Sequence, residues 1–157
     1  PLKYPEMFPN DVDFVIGQSD PAKDWFYMHI PHTYDKDPQV LPFFGIKAVG
    51  EPTPYNVKFD LAEVPAGKVT LRLAICGTST SGIAVSVNGK SVGEIRLPMG
   101  DAVIARHGLQ GIWYERECEF DASMLKAGKN TLTLTVPAGS INNGVLYDYI
   151  RLELAKI

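Results

Sequence analysis

A chain of 157 residues with a formal net charge of −3 has no basic field with which to neutralise phosphates, which excludes nucleic-acid binding. With 45% hydrophobic and 21% charged residues it is long enough to bury a core without disulfide or metal staples, and we read residues 1–157 as one domain. No apolar run approaches the ~20 residues a membrane span needs, and no membrane partner is expected.

The opening "PLKYPEMFPNDVDF" starts abruptly, with no basic-then-apolar export signal. We expect a piece of a longer protein here, with residues 1–12 linker-like. "GQSDPAKDWFYMH" follows and sets Lys23, Asp24, Trp25 and Tyr27 close together. From Pro31 to Pro54 the chain carries five prolines, which predicts an irregular loop or an edge excursion.

Beyond that loop nearly every segment has period two. In "YNVKFDL" the residues Tyr55, Val57, Phe59 and Leu61 share one face, and "KVTLRLAI" repeats the pattern with Val69, Leu71, Leu73 and Ile75. "GIAVSVNGKSVGEIRL" predicts a hairpin, because Asn88-Gly89 tolerates the positive φ that both central positions of a two-residue turn require. "GDAVIARHGLQGIWYERECEF" comes next and gathers Arg106, His107, Trp113 and Tyr114 among the glycines Gly100, Gly108 and Gly111. "FDASMLKAGKN" has room for one helical turn, with Asp121 or Ser123 as cap and Gly128 as stop. "NTLTLTV" turns Leu132, Leu134 and Val136 inward. In the last strand, "VLYDYIRLEL", strict alternation places Leu146, Asp148, Ile150, Leu152 and Leu154 on the core side. Short strands with turn chemistry between them predict an all-β fold, an antiparallel jelly-roll sandwich.

The chemistry-bearing residues exclude more than they select. His29, His32 and His107 lack zinc spacing, and Cys76 and Cys118 form either one disulfide or two buried thiols. "GTSTSG" is a turn without the spacing of a nucleophile elbow. Glu115, Glu117 and Glu119 share one face of a strand whose other face carries Tyr114, Cys118 and Phe120, so they read as a solvated side. An inward Asp148 must be hydrogen-bonded, paired with an arginine, or bound to a structural calcium; no other cofactor is expected. The aromatics beside Lys23, Asp24, Arg106 and His107 form either a sugar platform, with rings stacking on C–H faces and polar groups taking hydroxyls, or ordinary core.

Taken together, "FVIGQSDPAKDWFYMH", "GDAVIARHGLQGIWYE", "LKAGKNTLTLTVP" and "GVLYDYIRLEL" resemble, in order and spacing, the C-terminal domain of the rhamnogalacturonan lyases of polysaccharide lyase family 4. The likeness runs from Phe14 to Leu154. It implies a jelly-roll sandwich similar to carbohydrate-binding modules, with the eliminating residues of the family in a larger domain outside this sequence. It also implies a secreted parent enzyme that cuts rhamnogalacturonan I, the alternating galacturonate–rhamnose backbone of plant cell-wall pectin. By motif it carries over Asp24 and Trp25 from "KDW", Arg106, His107 and Gly108 from "ARHG", and Tyr147 and Asp148 from "YDYIRLE".

The functional expectation is therefore a non-catalytic module that binds pectin. Lys23, Asp24, Trp25, Tyr27, Arg106, His107, Trp113 and Tyr114 are its candidate sugar contacts, while Asp148, Gly108 and Gly111 serve structure. Arg106 would grip a galacturonate carboxylate with its two-pronged guanidinium, with Lys23 as a second cation. Two alternatives stand beside it. One is an accessory domain that packs on the other domains of its parent without binding sugar. The other is a stand-alone lyase using His107 or Tyr114 as base.

Overall fold

The structure, a computed structural model, describes residues 11–32, 49–98, 112–140 and 143–154. In chain order the elements are β1 (Asp13–Val15), α1 (Pro21–Asp24), β2 (Met28–His29), β3 (Val49–Gly50), β4 (Thr53–Leu61), β5 (Lys68–Thr78), β6 (Gly82–Val87) and β7 (Lys90–Arg96). After them come β8 (Tyr114–Asp121), a 3-10 turn (Ala122–Met124), β9 (Gly128–Val136), β10 (Gly139–Ser140) and β11 (Val145–Leu154).

Two sheets carry the fold, in the orders β1-β4-β9-β6-β7 and β2-β11-β5-β8, with β3 and β10 forming a small separate ribbon. Among the described residues the chain changes sheet between β1 and β2, β2 and β4, β4 and β5, β5 and β6, β7 and β8, β8 and β9, and β9 and β11, while the β6–β7 hairpin stays in one sheet. That interleaving is a jelly roll, as the turn spacing predicts. One pairing departs from the antiparallel expectation: β1 runs parallel to β4, with Phe14 opposite Val57.

The core is where alternation puts it. Val69, Leu71, Leu73 and Ile75 of β5 are buried against Ile83 and Val85 of β6 and Leu132 and Leu134 of β9. At ~25 cal/mol per Å² such side chains supply most of the driving force for closing two sheets face to face. A second cluster of Val12, Phe26, Met28, Ile30 and Tyr55 closes the end of the sandwich that the short N-terminal elements cover.

The hairpin forms as expected: Val87 pairs with Lys90, and Asn88 and Gly89 take φ of 51° and 79°. Asn88 does more than turn the chain. Its amide donates to the Met124 carbonyl and to Asn130, and its carbonyl accepts from the Thr131 amide. The helical-turn expectation resolves as the 3-10 turn, capped by Asp121, whose carboxylate accepts from the Ser123 amide. Cys76 and Cys118 are free thiols. Cys118 stands opposite Leu71, five residues along β5 from Cys76, about 17 Å at strand rise and far beyond disulfide reach.

The phase of the last strand is corrected. β11 pairs with β5 through two register shifts, which leave Cys76 of β5 and Asp148 of β11 without opposite partners. Each bulge adds a residue and moves the alternation by one. Ile150 and Leu152 still face the core, but Tyr147 turns inward opposite Ile75 and Asp148 is exposed. The buried carboxylate that prompted a calcium or an arginine partner is therefore not there.

Candidate functional site

The "DPAKDW" segment folds as a self-contained turn. Asp20 caps α1 by accepting from the Ala22 amide at 3.0 Å, and Pro21 takes the position where its missing N–H costs nothing. Asp24 reaches back to accept from the Asp20 amide at 2.7 Å, and Lys23 pairs with the Asp20 carboxylate at 3.2 Å. The polar side chains predicted to contact sugar thus hold their own turn. Trp25 is half-buried: its ring meets Phe14 and Tyr55 edge-on at 5.8 and 5.3 Å and lies 6.2 Å from Tyr147. It joins the two clusters of the core, so for Trp25 the core reading is the one observed. Tyr27 is 61% exposed and rests against Phe26.

Beneath Trp25 lies a polar cluster that sequence reasoning missed. His29 is fully buried, stacked on Tyr55 at 3.7 Å between centroids. Its Nε2 donates to the Thr53 carbonyl at 2.7 Å. A carbonyl only accepts, so Nδ1 is the bare nitrogen and takes the Tyr147 hydroxyl proton at 2.8 Å. Burial lowers His29 to about 3, the Thr53 contact offsetting only part of that, and burial likewise pushes the Tyr147 phenol well above its ordinary range. Neither group is a base or acid at neutral pH. A histidine preceding a proline-rich run carries no pattern signal; only the partner geometry reveals it.

A further exposed aromatic, Trp113, lies on the other side of the four-stranded sheet. Trp113 is 55% exposed, and its indole N–H donates to Asp148 Oδ2 at 3.0 Å. Trp113 precedes β8 and Asp148 belongs to β11, strands that flank β5 on opposite sides. At about 4.8 Å per strand spacing, their bond requires the indole to lean across β5. Ala74 and Cys76 of β5 stand on the outward side to either side of Ile75; Ala74 is fully buried and lies outside the main core cluster. Tyr149 and Glu115 stand opposite Ala74 on the two sides, and the next outward row is Arg151, Arg72 and Glu117. Arg151 lies over the Tyr149 ring at 5.4 Å. Arg72 donates to Glu153 at 2.9 Å and pairs with Glu117, while Glu153 also pairs with Arg151. These contacts hold Glu153 below the usual carboxylate range, the Arg72 hydrogen bond first. Tyr149, Arg151 and Arg72 were absent from the sequence-level candidates, although Tyr149 and Arg151 sit in the quoted "YDYIRLE".

Tyr114 parts company with Trp113. Alternation turns it to the inner face, half-buried opposite Ile75, with the Arg116 guanidinium 4.6 Å over its ring. Trp25 and Trp113 likewise do not share a concavity. The consecutive residues Tyr147 and Asp148 contact them on opposite faces of the sheet. Arg106, His107, Gly108 and Gly111 lie outside the described residues. Among the described residues no group of His, Cys, Asp or Glu side chains comes together to hold a metal ion, and no helix is long and apolar enough to cross a membrane.

The family model described as "CBM-like: Polysaccharide lyase family 4, domain III" matches residues 2–152. The chain is similar to rhamnogalacturonate lyase B of Emericella nidulans, 27% identical over 94% of this chain and 26% of that one. It is also similar to the rhamnogalacturonate lyase of Dickeya dadantii, 27% identical over 92% and 22%. The chain thus spans about a quarter of the length of these curated relatives. Among solved structures, a family 35 carbohydrate-binding module from an environmental isolate matches at 22% identity and a TM-score of 0.44, over 69% of each chain. One from Clostridium thermocellum matches at 17% identity and 0.45, over 83% and 90%.

Proposed function

The chain belongs to the carbohydrate-binding-module-like domain III family of polysaccharide lyase family 4, and from that premise we propose that it is a non-catalytic module that attaches a rhamnogalacturonate lyase to pectic polysaccharide outside the cell. The observation that carries this reading is Trp113. A large ring, more than half exposed, is anchored by the hydrogen bond from its N–H to Asp148. Leaving such a ring in water is unfavourable, whereas a pyranose C–H face stacked on it removes apolar area from water at little ordering cost. A non-catalytic role is supported by two groups of the kind that move protons: His29 and Tyr147 are bonded to each other inside the fold. The extracellular assignment and the pectic ligand come from the kinship with rhamnogalacturonate lyases.

Isothermal titration of the 157-residue chain with rhamnogalacturonan I fragments tests the reading. Weak, saturable heat that Trp113→Ala abolishes is expected, with no unsaturated product by ultraviolet absorbance. No heat at millimolar ligand overturns binding, and any turnover overturns the non-catalytic role.

A second reading has its own observation. Ile112, 68% exposed, adjoins Trp113. An apolar pair of this kind also suits packing against another domain of a parent several times this length. Under that reading Trp113→Ala in the parent weakens domain docking and leaves polysaccharide affinity unchanged.

A further inference from the structure

We propose that the outer face of the β2-β11-β5-β8 sheet is a two-ring platform, Trp113 and Tyr149 flanking Ala74, that takes a neutral pyranose and rejects a uronate. The proposal rests on the carbohydrate-binding reading above and names the sugar class.

The geometry supplies the platform. Trp113 reaches across β5 to Asp148, and Tyr149, the residue after Asp148, stands on β11 directly opposite Ala74. Each ring is held from one side. The indole is fixed by the Asp148 carboxylate, and the Tyr149 ring is covered by the Arg151 guanidinium. Rings fixed in place before binding lose little rotamer freedom on stacking. Asp148 is exposed and its Oδ1 is not the oxygen that the indole uses, so it can accept from a sugar hydroxyl.

Charge supplies the class. Around the rings the face presents the carboxylates of Asp148, Glu115, Glu117 and Glu153 against two guanidiniums, those of Arg72 and Arg151. Both guanidiniums are engaged: Arg72 by Glu117 and Glu153, Arg151 by Glu153. A uronate stacked on Trp113 would set its carboxylate beside that of Asp148 with no unengaged described cation near it. Like charges at such range repel, and the repulsion weakens with salt. Neutral hydroxyls meet only acceptors and donors. In a polymer that alternates acidic and neutral sugars, the platform takes the neutral one.

The test uses fluorescence and calorimetric titration of the full chain with a neutral galacto-oligosaccharide, an oligogalacturonate of equal length, and rhamnogalacturonan I fragments. The neutral oligosaccharide is expected to bind about tenfold more tightly than the oligogalacturonate at low salt, with the gap narrowing as salt rises. Trp113→Ala and Tyr149→Ala should abolish neutral-sugar binding, while Ile16→Ala, at an exposed apolar residue beyond β1, leaves it unchanged. Asp148→Asn keeps an acceptor for the indole but removes the charge, so it should narrow the gap in the same way as salt. Equal or tighter binding of oligogalacturonate overturns the sugar class. Binding of rhamnogalacturonan I fragments that survives both ring deletions overturns the platform and leaves the carbohydrate-binding reading intact. Absence of binding to all three ligands overturns both.

Discussion

The Tyr147 hydroxyl donates to Nδ1 of His29 at 2.8 Å, so a residue of the last strand fixes the tautomer of a buried histidine on the short strand β2. The other ring nitrogen donates to the Thr53 carbonyl at the start of β4, in the opposite sheet. One imidazole thereby ties both sheets at the end of the sandwich where they would otherwise splay.

Replacing His29 with Phe leaves a buried hydroxyl and a buried carbonyl unmatched, and we predict a loss of about 2–4 kcal/mol by denaturant unfolding. The same group sets a pH dependence. Its folded value of about 3 lies below the ordinary 6.5, so between these limits the unfolded chain binds a proton that the folded chain does not. Stability from this group is complete above pH 6.5 and falls as pH drops toward 3, by about 1.4 kcal/mol per pH unit. The phenylalanine variant should lack that component of the slope. Identical slopes in both proteins would show that His29 titrates normally.

Asp148→Ala should leave stability within about 1 kcal/mol of the parent, because the carboxylate is exposed and its one described side-chain bond lies at the surface. The effect belongs on Trp113: loss of the indole bond should lower its fluorescence anisotropy. A large drop in melting temperature with unchanged anisotropy would place Asp148 back inside.

Gly89→Val is expected to cost about 1–2 kcal/mol. A Cβ at Gly89 meets nothing within 4 Å, so the penalty is conformational, a β-branched residue forced to a φ of 79°. Gly89→Asn, which tolerates that region, should recover most of it. Equal losses for valine and asparagine would point to a steric cause instead.

Reducing agent should not change the melting temperature, since Cys76 and Cys118 stand too far apart on neighbouring strands to bond. Burial holds the Cys118 thiol above its ordinary range, so it should react slowly with a thiol reagent until the chain unfolds. A single non-reducible-to-reducible mobility shift of the monomer on denaturing gels would contradict the distance.

Period-two alternation, Asn88-Gly89 and the Asp121 cap are local signals, whereas Gly128 opens β9 rather than ending the turn, which stops at Leu125. They act within a few residues of their own backbone, which is why the strands, the hairpin and the jelly-roll class could be read directly from the amino-acid order. Asp148 could not. A bulge is the extra residue left when two strands from distant parts of the chain pair over unequal lengths, and only the pairing of β11 with β5 creates it. That one inserted residue turns Tyr147 inward to His29 and Asp148 outward to Trp113. It also separates Trp25 from Trp113, two rings that look alike in sequence. Whether an aromatic side chain is core or contact surface depends on which face of a sheet it occupies. Face is decided by register, and register by tertiary pairing rather than by any property of the residue itself.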